Sequence, residues 1–425
     1  MSLQEKMKVL ALGGAGDMGR MAVAILLEAK NVSAITVADI NHDLANTFVN
    51  LVDSPKLSAV QLDVLERDKL LSLMSKHDLI INCVGPFYKF EIPILKAAIE
   101  AKKPIVDICD DAKPTLDALK LSDEIKDAGI TALMGMGASP GILNLLAVRA
   151  CSKLDKVDEI ITSWGFCLNR KEGKKPKFFV KPEKFVKELG LKKGVYGGLN
   201  IPGKENAAIM HLLYECVKKV PTYKDGKLIE IEALTEAERF AFPGYKDVYA
   251  CHIGHPEPAT LYRTIETNSV SNLMRFGETA TGILRQYREK IKNEELSLKE
   301  ASLKLNVEFS KLLEDTMAGK NIEVLREFHK GPPTESVIAI GTQGGIRKKV
   351  GVALLREPYG EMAGRTGVSM AIGTLLLIEG RISKKGLLTP EEAFPDPTEF
   401  FDRLAHYCGK NLSGKDILVE REVNI

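Results

Sequence analysis

Short, almost entirely apolar runs alternate with amphipathic segments over residues 8–134. Runs without a polar face are typical of strands buried on both sides of a parallel sheet, and the segments between them have helical spacing. The sequence therefore predicts an α/β domain with a doubly wound parallel sheet. Its predicted strands are Lys8–Leu12, Ala34–Ala38, Ala59–Leu62, Leu79–Val84, Ile105–Ile108 and Ile130–Met134.

The pattern changes near Cys151, where longer strands with alternating apolar and polar positions begin. This alternation predicts a second α+β domain on a mixed or antiparallel sheet. A charge-rich helical insertion at about 279–328 interrupts it, and Ser297 and Glu300 have the spacing of a capping box. The predicted strands are Glu159–Phe166, Lys227–Glu232, Ser336–Thr342 and Lys348–Leu355, the last two joined through Gly344 and Gly345.

A glycine-rich turn follows the first predicted strand and precedes a predicted helix, Arg20–Lys30. Gly14, Gly16 and Gly19 form G-x-G-x-x-G, in which we expect Gly14 to permit the tight turn, Gly16 to admit a pyrophosphate and Gly19 to allow close packing. Asp39 ends the second strand, where a carboxylate would accept hydrogen bonds from a ribose. The motif predicts a Rossmann site for NAD, with NADP as the second choice. The alternative is a structural glycine turn beside an unrelated aspartate.

Ligands of such domains bind at the carboxyl ends of the parallel strands. This rule places the cofactor against the loops that follow the predicted strands. We also expect the helix from Ile142 to offer free N–H groups to a carboxylate or to the nicotinamide carboxamide. The expected cofactor-binding residues are Gly14, Gly16, Asp17, Met18, Gly19, Asp39, Asp63, Val64, Val84, Gly85, Pro86, Ser139 and Pro140.

Composition narrows the partners and the compartment. The 59 basic residues against 57 acidic ones give no excess positive charge for nucleic acid or an anionic membrane, so we expect a small-molecule substrate. The N-terminal residues lack the apolar core of a signal peptide, and the apolar stretch Met370–Ile378 is too short to span a bilayer. The seven scattered cysteines never have C-x-x-C spacing. These features predict a cytoplasmic protein with reduced thiols.

Six motifs stand out along the chain: Asn82–Phe90, Val106–Asp111, Gly137–Ile142, Phe242–Tyr245, His255–Pro258 and Gly364–Gly367. Together they resemble the saccharopine dehydrogenase (glutamate-forming) family, which includes lysine dehydrogenases and carboxynorspermidine dehydrogenases. The resemblance implies an NAD(P)-dependent oxidoreductase that acts on the C–N bond of an amino-acid or polyamine-type substrate by hydride transfer through an imine. Saccharopine-specific members tend to have Asp where this chain has Ser139, so the motifs point to the family and not to one substrate.

The domain plan combines the pattern and the resemblance. We expect an NAD(P)-binding Rossmann domain at 1–145 and a substrate domain at 146–361. A C-terminal helical segment at 362–425 would pack back on the Rossmann domain through the apolar helix Thr366–Glu379, which Gly380 ends. We expect a homo-oligomer, with a dimer favoured.

Two adjacent carboxylates, Asp110 and Asp111, follow the fifth strand, over the expected position of the nicotinamide. Oxidation of an amine needs a base near neutrality, and neighbouring carboxylates raise one another's pKa. Either could be that base. The alternative is capping of the helix that begins near Lys113 and Pro114, because Asp is favoured just before a helix; one residue could also do both.

Other residues are weaker candidates for substrate contact. Tyr88 and Lys89 follow the fourth strand, and Lys89 is either a carboxylate ligand or a surface lysine. His255 is either a substrate contact or a structural histidine. Arg263 and Arg275 are candidate carboxylate clamps. The spacing of His252 and His255 resembles a metal motif, but no third ligand is evident in the sequence, so we expect no metal.

Two other functions compete with a C–N dehydrogenase. A short-chain alcohol dehydrogenase would need Tyr and Lys one turn apart on a helix. The pair Tyr223 and Lys227 has this spacing but encloses Asp225-Gly226, which predicts a hairpin turn. A dinucleotide-sensing regulator would bind the nucleotide without turnover.

Overall fold

The structure is a computed structural model that describes residues 6–165, 171–189, 192–193, 199–200, 206–235, 239–320 and 331–425. Parts of the predicted elements fall outside these residues. They are Phe166, at the end of a predicted strand, and the end of the helical insertion at 321–328. One of the seven cysteines, Cys167, also lies outside the described residues.

The first domain is built on a seven-stranded sheet in which every pair of neighbours is parallel, in the order β18-β6-β5-β4-β1-β2-β3. The predicted doubly wound sheet is therefore confirmed. Its strands are β1 (Met7–Leu12), β2 (Val32–Asp39), β3 (Leu57–Gln61), β4 (Leu79–Asn82), β5 (Ile105–Asp107), β6 (Thr131–Leu133) and β18 (Gly386–Leu388). The helices between them are α1 (Asp17–Leu26), α2 (His42–Val52), α3 (Arg67–Ser75), α4 (Phe87–Ala101), α5 (Ala112–Leu119), α6 (Ser122–Asp127) and α7 (Ile142–Cys151).

The central strands of this sheet are buried because helices cover both faces. All four residues of β4 are buried, as are the last four residues of β1. Burial on both faces explains why these strands show no polar alternation in the sequence. The fourth strand ends at Asn82, two residues earlier than predicted, because the Asn82 side chain accepts a hydrogen bond from the backbone N–H of Val84.

The second domain is built on a mixed sheet of eight strands, as predicted, with β12-β11-β14-β7-β15-β16-β19 in order and β13 paired with β14. Only β14 and β7 run parallel among these neighbours. The strands are β7 (Lys156–Gly165), β11 (Lys219–Lys224), β12 (Lys227–Glu232), β13 (Cys251–His252), β14 (Ser269–Arg275), β15 (Ser336–Gln343), β16 (Ile346–Leu354) and β19 (Leu418–Asn424).

Helices and short strands complete this part of the chain. Ser297 and Glu300 form the expected capping box at the start of the longest helix here. The helices are α8 (Pro182–Leu189), α9 (Ala207–Val217), α10 (Glu257–Thr260), α11 (Gly277–Lys292) and α12 (Leu298–Met317). The short strands form two further pairs, β8 (Lys171–Glu172) with β17 (Arg356–Glu357) and β9 (Lys192–Lys193) with β10 (Leu199–Asn200).

The C-terminal segment contacts both sheets. Helix α13 (Glu361–Ile378) packs on α1 so closely that a Cβ built on Gly367 would lie 2.6 Å from the carbonyl oxygen of Met18. This segment was predicted to be helical, but it also contributes two strands. Strand β18 extends the first sheet, and β19 extends the second. Its other helices are α14 (Pro390–Ala393), α15 (Thr398–Cys408) and α16 (Gly414–Ile417).

None of the described helices combines the length and the apolar character needed to cross a membrane. The six cysteines among the described residues are free thiols.

Candidate active site

The glycine turn joins β1 to α1 and lies against the loop after β4. Gly13, and not Gly14, has the left-handed backbone, with φ +66°. Gly14 is instead required for space, because a Cβ there would lie 2.9 Å from that of Ala11. Gly19 has the predicted packing role, since its Cβ would lie 2.6 Å from the carbonyl oxygen of Gly13. Gly16 is exposed at the start of α1, beside open space.

The other expected cofactor residues lie at the same edge of the sheet. Asp17 forms an ion pair with the buried Arg20, which also donates to the carbonyl oxygen of Ala15. Asp39 is half-buried, and its Oδ1 accepts a hydrogen bond from the N–H of Asn41 at 2.9 Å. Half-buried Asp63 and buried Val64 follow β3. Half-buried Met18, Val84, Gly85 and Pro86, and buried Pro140, complete the set together with Ser139.

The first N–H groups of α7 are not free, contrary to prediction. Those of Ile142 and Leu143 each donate to backbone carbonyls at 3.0 Å, and that of Gly141 donates to Oδ1 of Asn144 at 3.0 Å. The tight turn at residues 137–141 returns these carbonyls to the helix end, so the groups expected to bind a ligand are occupied.

Asp111 joins the two domains. Its carboxylate is fully buried, and Oδ1 lies 2.6 Å from Nδ1 of His211 on α9 while Oδ2 accepts a hydrogen bond from the N–H of Tyr88 at 2.6 Å. Asp111 is the residue before α5, as the capping alternative expected, but its side chain does not cap that helix. It binds the second domain instead.

Asp110 is the more accessible carboxylate of the pair, with its side chain 31% exposed. Its Oδ1 lies 3.6 Å from Nδ1 of His211. Burial raises the pKa of Asp110 to about 6, although the charge of His211 opposes this rise. That Oδ1 is itself buried and has no hydrogen-bond partner among the described residues.

His211 is held as a cation. Burial opposes its protonation, but the carboxylates of Asp110 and Asp111 raise its pKa to about 10. Nδ1 of a protonated ring donates to Asp111, and Nε2 then faces Nε2 of His255 at 3.4 Å.

His255, Ser139 and Glu257 extend this contact into a buried hydrogen-bonded chain. Nδ1 of His255 lies 2.7 Å from Oγ of Ser139, which donates to Oε1 of Glu257 at 2.5 Å. Burial, then the charge of His211, lowers the pKa of His255 well below its usual value, whereas burial raises that of Glu257 to about 7. With Nδ1 of His255 protonated, every contact from His211 to Glu257 joins one donor to one acceptor. This chain connects loops of both domains.

Further groups enclose these residues. The rings of Tyr88 and Tyr214 stack at 4.2 Å, and Trp164 stacks on His255 at 4.9 Å. Glu215, one turn after His211 on α9, is buried, and its Oε2 occupies the place that a Cβ on Gly254 would need. Burial raises the pKa of Glu215 well above the usual range.

Three predicted basic candidates are not brought together with this cluster. Lys89 is exposed, with its ammonium 4.9 Å from the ring centre of Phe90. Arg263 is also exposed, on a short 3-10 turn. Arg275 is buried and binds Oγ of Ser163 and backbone carbonyls of residues 332–334, so its guanidinium is a structural group and not a substrate clamp.

Metal-ligating atoms do meet in the site, although not at the motif with two histidines. Asp110, Asp111 and His211 offer ligand atoms that lie within 4.8 Å of one another. A metal ion there would have to displace the hydrogen bond between Asp111 and His211. Neither His252 nor His255 belongs to this group of ligand atoms.

His211, Glu215 and Glu257 are polar members of the cluster that sequence reasoning missed. His211 and Glu215 lie on an otherwise apolar helix, where a single histidine is usually structural. Their spacing of four residues, which places both on one helix face, was the available signal. Glu257 was visible only as part of a family motif.

Comparisons with known proteins show the family to which the chain belongs. Residues 9–133 match the family model described as the saccharopine dehydrogenase NADP binding domain, and residues 137–410 match the saccharopine dehydrogenase C-terminal domain. The predicted resemblance and the nucleotide-binding domain are therefore confirmed.

Individual relatives cover different parts of the chain. The NADP(+), L-glutamate-forming saccharopine dehydrogenase of Schizosaccharomyces pombe is 27% identical over 58% of this chain, which spans only 49% of that protein. Carboxyaminopropylagmatine dehydrogenase of Synechocystis sp. is 22% identical over 92% of this chain and 94% of its own length. The apo structure of saccharopine dehydrogenase (L-Glu forming) from Saccharomyces cerevisiae covers 98% of this chain and 100% of its own, with a TM-score of 0.59 and 18% identity, which shows a shared fold.

Proposed function

The chain belongs to the saccharopine dehydrogenase family, and we propose that it is an NAD(P)-dependent dehydrogenase acting on a CH–NH or CH–NH2 bond. The substrate is an amino acid or a polyamine-type amine. It loses a hydride from carbon and a proton from nitrogen, and is thereby oxidised to an imine. The observation that carries this proposal is the position of Asp110, a carboxylate that follows β5, is 31% exposed and lies beside His211. A carboxylate that is accessible and lies beside a cation is suited to accept a hydrogen bond from a substrate amine.

The glycine turn fits a dinucleotide because the space beside Gly16 is open. A Cβ built there would meet only the carbonyl oxygen of Gly13, at 3.3 Å, within a 4 Å radius. The first N–H groups of α1 would hold the pyrophosphate, and Asp39 the adenosine ribose. When bound, the nicotinamide supplies the hydride acceptor. Asp39 favours NAD over NADP, since a 2′-phosphate would meet its like charge.

In this proposal Asp110 is the general base. It accepts the amine proton as the hydride leaves the adjacent carbon, and a pKa of about 6 keeps it ionised at neutral pH. His211 stabilises that carboxylate, and Asp111 positions His211. Hydration of the imine needs a further proton transfer, for which the chain from His211 through His255 and Ser139 to Glu257 provides a route.

The charge of the site favours a substrate that carries positive groups. The two imidazoles are surrounded by four carboxyl side chains, those of Asp110, Asp111, Glu215 and Glu257, and none of the four forms an ion pair with a lysine or arginine of the described residues. Burial raises the pKa of Glu215 well above its usual range and that of Glu257 to about 7, so the negative charge comes mainly from Asp110 and Asp111, which together outweigh the single positive charge of His211. An ammonium on the substrate would complement them. We therefore favour a polyamine-type arm over a second carboxylate.

The two alternatives lack support at particular residues. Tyr223 and Lys227 lie in a hairpin and not on a helix, because β11 ends at Lys224 and β12 begins at Lys227. Tyr214 and Lys218 also have the spacing, at the end of α9, but burial raises the pKa of Tyr214, whereas a tyrosine that acts as a base needs a lowered one. A sensor that only binds nucleotide would not need a carboxylate base beside a histidine cation or a hydrogen-bonded chain between the domains.

The test is a substrate screen read at 340 nm with both NAD⁺ and NADP⁺, using lysine, saccharopine and carboxyalkyl polyamines. We expect reduction of cofactor with at least one amine. Bound nucleotide without an absorbance change across the panel would favour the sensor. We also propose that the protein is cytoplasmic and forms a homodimer. Light scattering of the purified chain would test the dimer.

A further inference from the structure

Three fully buried polar side chains lie beneath the site and take no part in the reaction proposed above. Asn82 is the last residue of β4, Asp107 is the last residue of β5, and Glu91 lies on α4. Their exposure is 0%, 1% and 0%, respectively. A polar or charged side chain is costly to bury unless hydrogen bonds compensate for the lost water, so we consider the hydrogen bonds of each one.

Each of the three binds its neighbours in a defined way. Nδ2 of Asn82 donates to Oε2 of Glu91 at 3.0 Å, and its Oδ1 accepts from the N–H of Val84 at 3.0 Å. Oδ1 of Asp107 accepts from the N–H groups of Cys109 at 2.9 Å and Gly135 at 2.8 Å.

One oxygen of each carboxyl is left over. Oε1 of Glu91 and Oδ2 of Asp107 are buried without any donor from the described residues. Asp107 lies opposite Asn82 in the register of β4 and β5, so its carboxyl group is on the same side of the sheet as the Asn82 side chain that binds Glu91. Two carboxylate oxygens cannot bond without a hydrogen, and two like charges in a dry site repel strongly. A single proton between them satisfies both oxygens and leaves one negative charge.

We propose that Glu91 and Asp107 share one proton, and that with Asn82 they form a positioning element for three loops of the site. Glu91 is the neutral member, because burial and then the charge of Asp107 raise its pKa well above the usual range. Asp107 keeps the charge that its two backbone N–H donors stabilise.

The loops concerned carry the candidate cofactor and catalytic residues. Asn82 fixes the loop that contains Val84–Pro86, and Asp107 fixes the start of the loop that contains Asp110 and Asp111. The bond from Gly135 fixes the start of the loop that contains Ser139 and Pro140. The shared proton ties these three anchors together, so its loss would loosen cofactor and base at once. This inference goes beyond the proposed function and does not depend on the substrate.

Amide substitutions test the shared proton. In Glu91→Gln, an amide N–H replaces the proton and donates to Asp107, and in Asp107→Asn the amide donates to an ionised Glu91. Each single variant should bind NADH or NADPH, by fluorescence titration, within about threefold of wild type. In the double variant two NH2 groups face each other without an acceptor. Its loss of affinity for NADH or NADPH should be at least about tenfold larger than the product of the losses in the two single variants.

Two further variants separate positioning from the filling of space. Glu91→Leu keeps much of the volume but provides neither donor nor acceptor, and it should weaken cofactor binding by at least about tenfold. Glu100→Gln, on the exposed end of the same helix, is the matched control and should behave as wild type. The thermal unfolding midpoint is measured for all variants. If the double variant is the only one that fails to fold, this outcome also supports the shared proton.

Three results would overturn the inference. They are a large loss of cofactor affinity in Glu91→Gln alone, a double variant no worse than the product of the singles, and wild-type affinity in Glu91→Leu. Infrared spectra offer a direct check, because the protonated-carboxyl band of Glu91 should disappear in Glu91→Gln; an unchanged band would count against the shared proton.

Discussion

Nδ1 of His211 lies 2.6 Å from Oδ1 of Asp111, and this contact joins α9 of the second domain to the loop after β5 of the nucleotide-binding domain. A histidine held in this way by a buried carboxylate keeps its positive charge. That charge in turn lies beside Asp110, the carboxylate to which we assign the proton transfer. The site therefore depends on both domains.

Substitution of Gly16 tests the nucleotide site. Gly16→Val should abolish dinucleotide binding, because the branched side chain would occupy the open space that the pyrophosphate needs. The fold should survive, since Gly16 is exposed and has φ −67° and ψ 168°, a backbone that any residue adopts. Fluorescence titration with NADH and a thermal melt check both points. Affinity like that of wild type would make the turn purely structural.

The preference between cofactors tests the role of Asp39. NADH should bind at least about tenfold more tightly than NADPH, a difference of about 1.4 kcal/mol, because the 2′-phosphate would face a like charge. Asp39→Asn should narrow the gap while its amide oxygen keeps the hydrogen bond to Asn41. Equal affinity for both cofactors in the wild-type protein would refute this assignment.

Gly254→Ala tests the packing around α9. The added Cβ would lie 1.4 Å from the present position of Oε2 of Glu215, so the buried carboxyl must move. Turnover should fall by about tenfold or more, with little change in NADH affinity. Gly282→Ala is the control, because nothing lies within 4 Å of a Cβ there and the change should stabilise α11 by about 0.5–1 kcal/mol. Normal turnover in Gly254→Ala would remove Glu215 from the site.

The pH dependence of stability should show the charge on His211. Its pKa rises in the folded protein from 6.5 to about 10, so the folded state binds more protons than the unfolded state between these values. The stabilisation from His211 is therefore complete below about pH 6.5 and is lost as the pH rises towards 10. The difference in unfolding free energy between wild type and His211→Gln should shrink over this range. A constant difference would show that the ring is neutral.

The nucleotide-binding half of the molecule was predictable because its signals are local. The run before Gly13 is buried on both faces, and the glycine spacing is dictated by a turn of a few residues. The left-handed position was misplaced by one residue, since Gly13 and Gly14 are indistinguishable until the packing against Ala11 and Cys83 is known.

The second half of the site was predictable only in part, because its contacts join residues far apart in the chain. Asp111 and His211 are separated by 100 positions, and no local pattern indicates that they meet. Asp111 satisfies the sequence rule for a helix cap, yet its side chain turns to His211 instead. Arg275 was a reasonable carboxylate clamp by residue type, but the backbone carbonyls around it became visible only in the fold.

The central claim is that Asp110 is the base and that Asp111 acts by holding His211. Asp110→Asn should slow hydride transfer by about a hundredfold or more, with cofactor affinity and stability close to wild type. Asp111→Asn removes the carboxylate that binds the buried imidazolium of His211. Unlike Asp110→Asn, it should destabilise the fold, by about 3–5 kcal/mol.

Stopped-flow absorbance at 340 nm, with a substrate found in the amine screen, measures this step most directly. A slow burst in Asp110→Asn at unchanged NADH affinity and unchanged unfolding midpoint is the result we predict. Hydride transfer at the wild-type rate in Asp110→Asn would contradict the account and transfer the role of base to another member of the cluster.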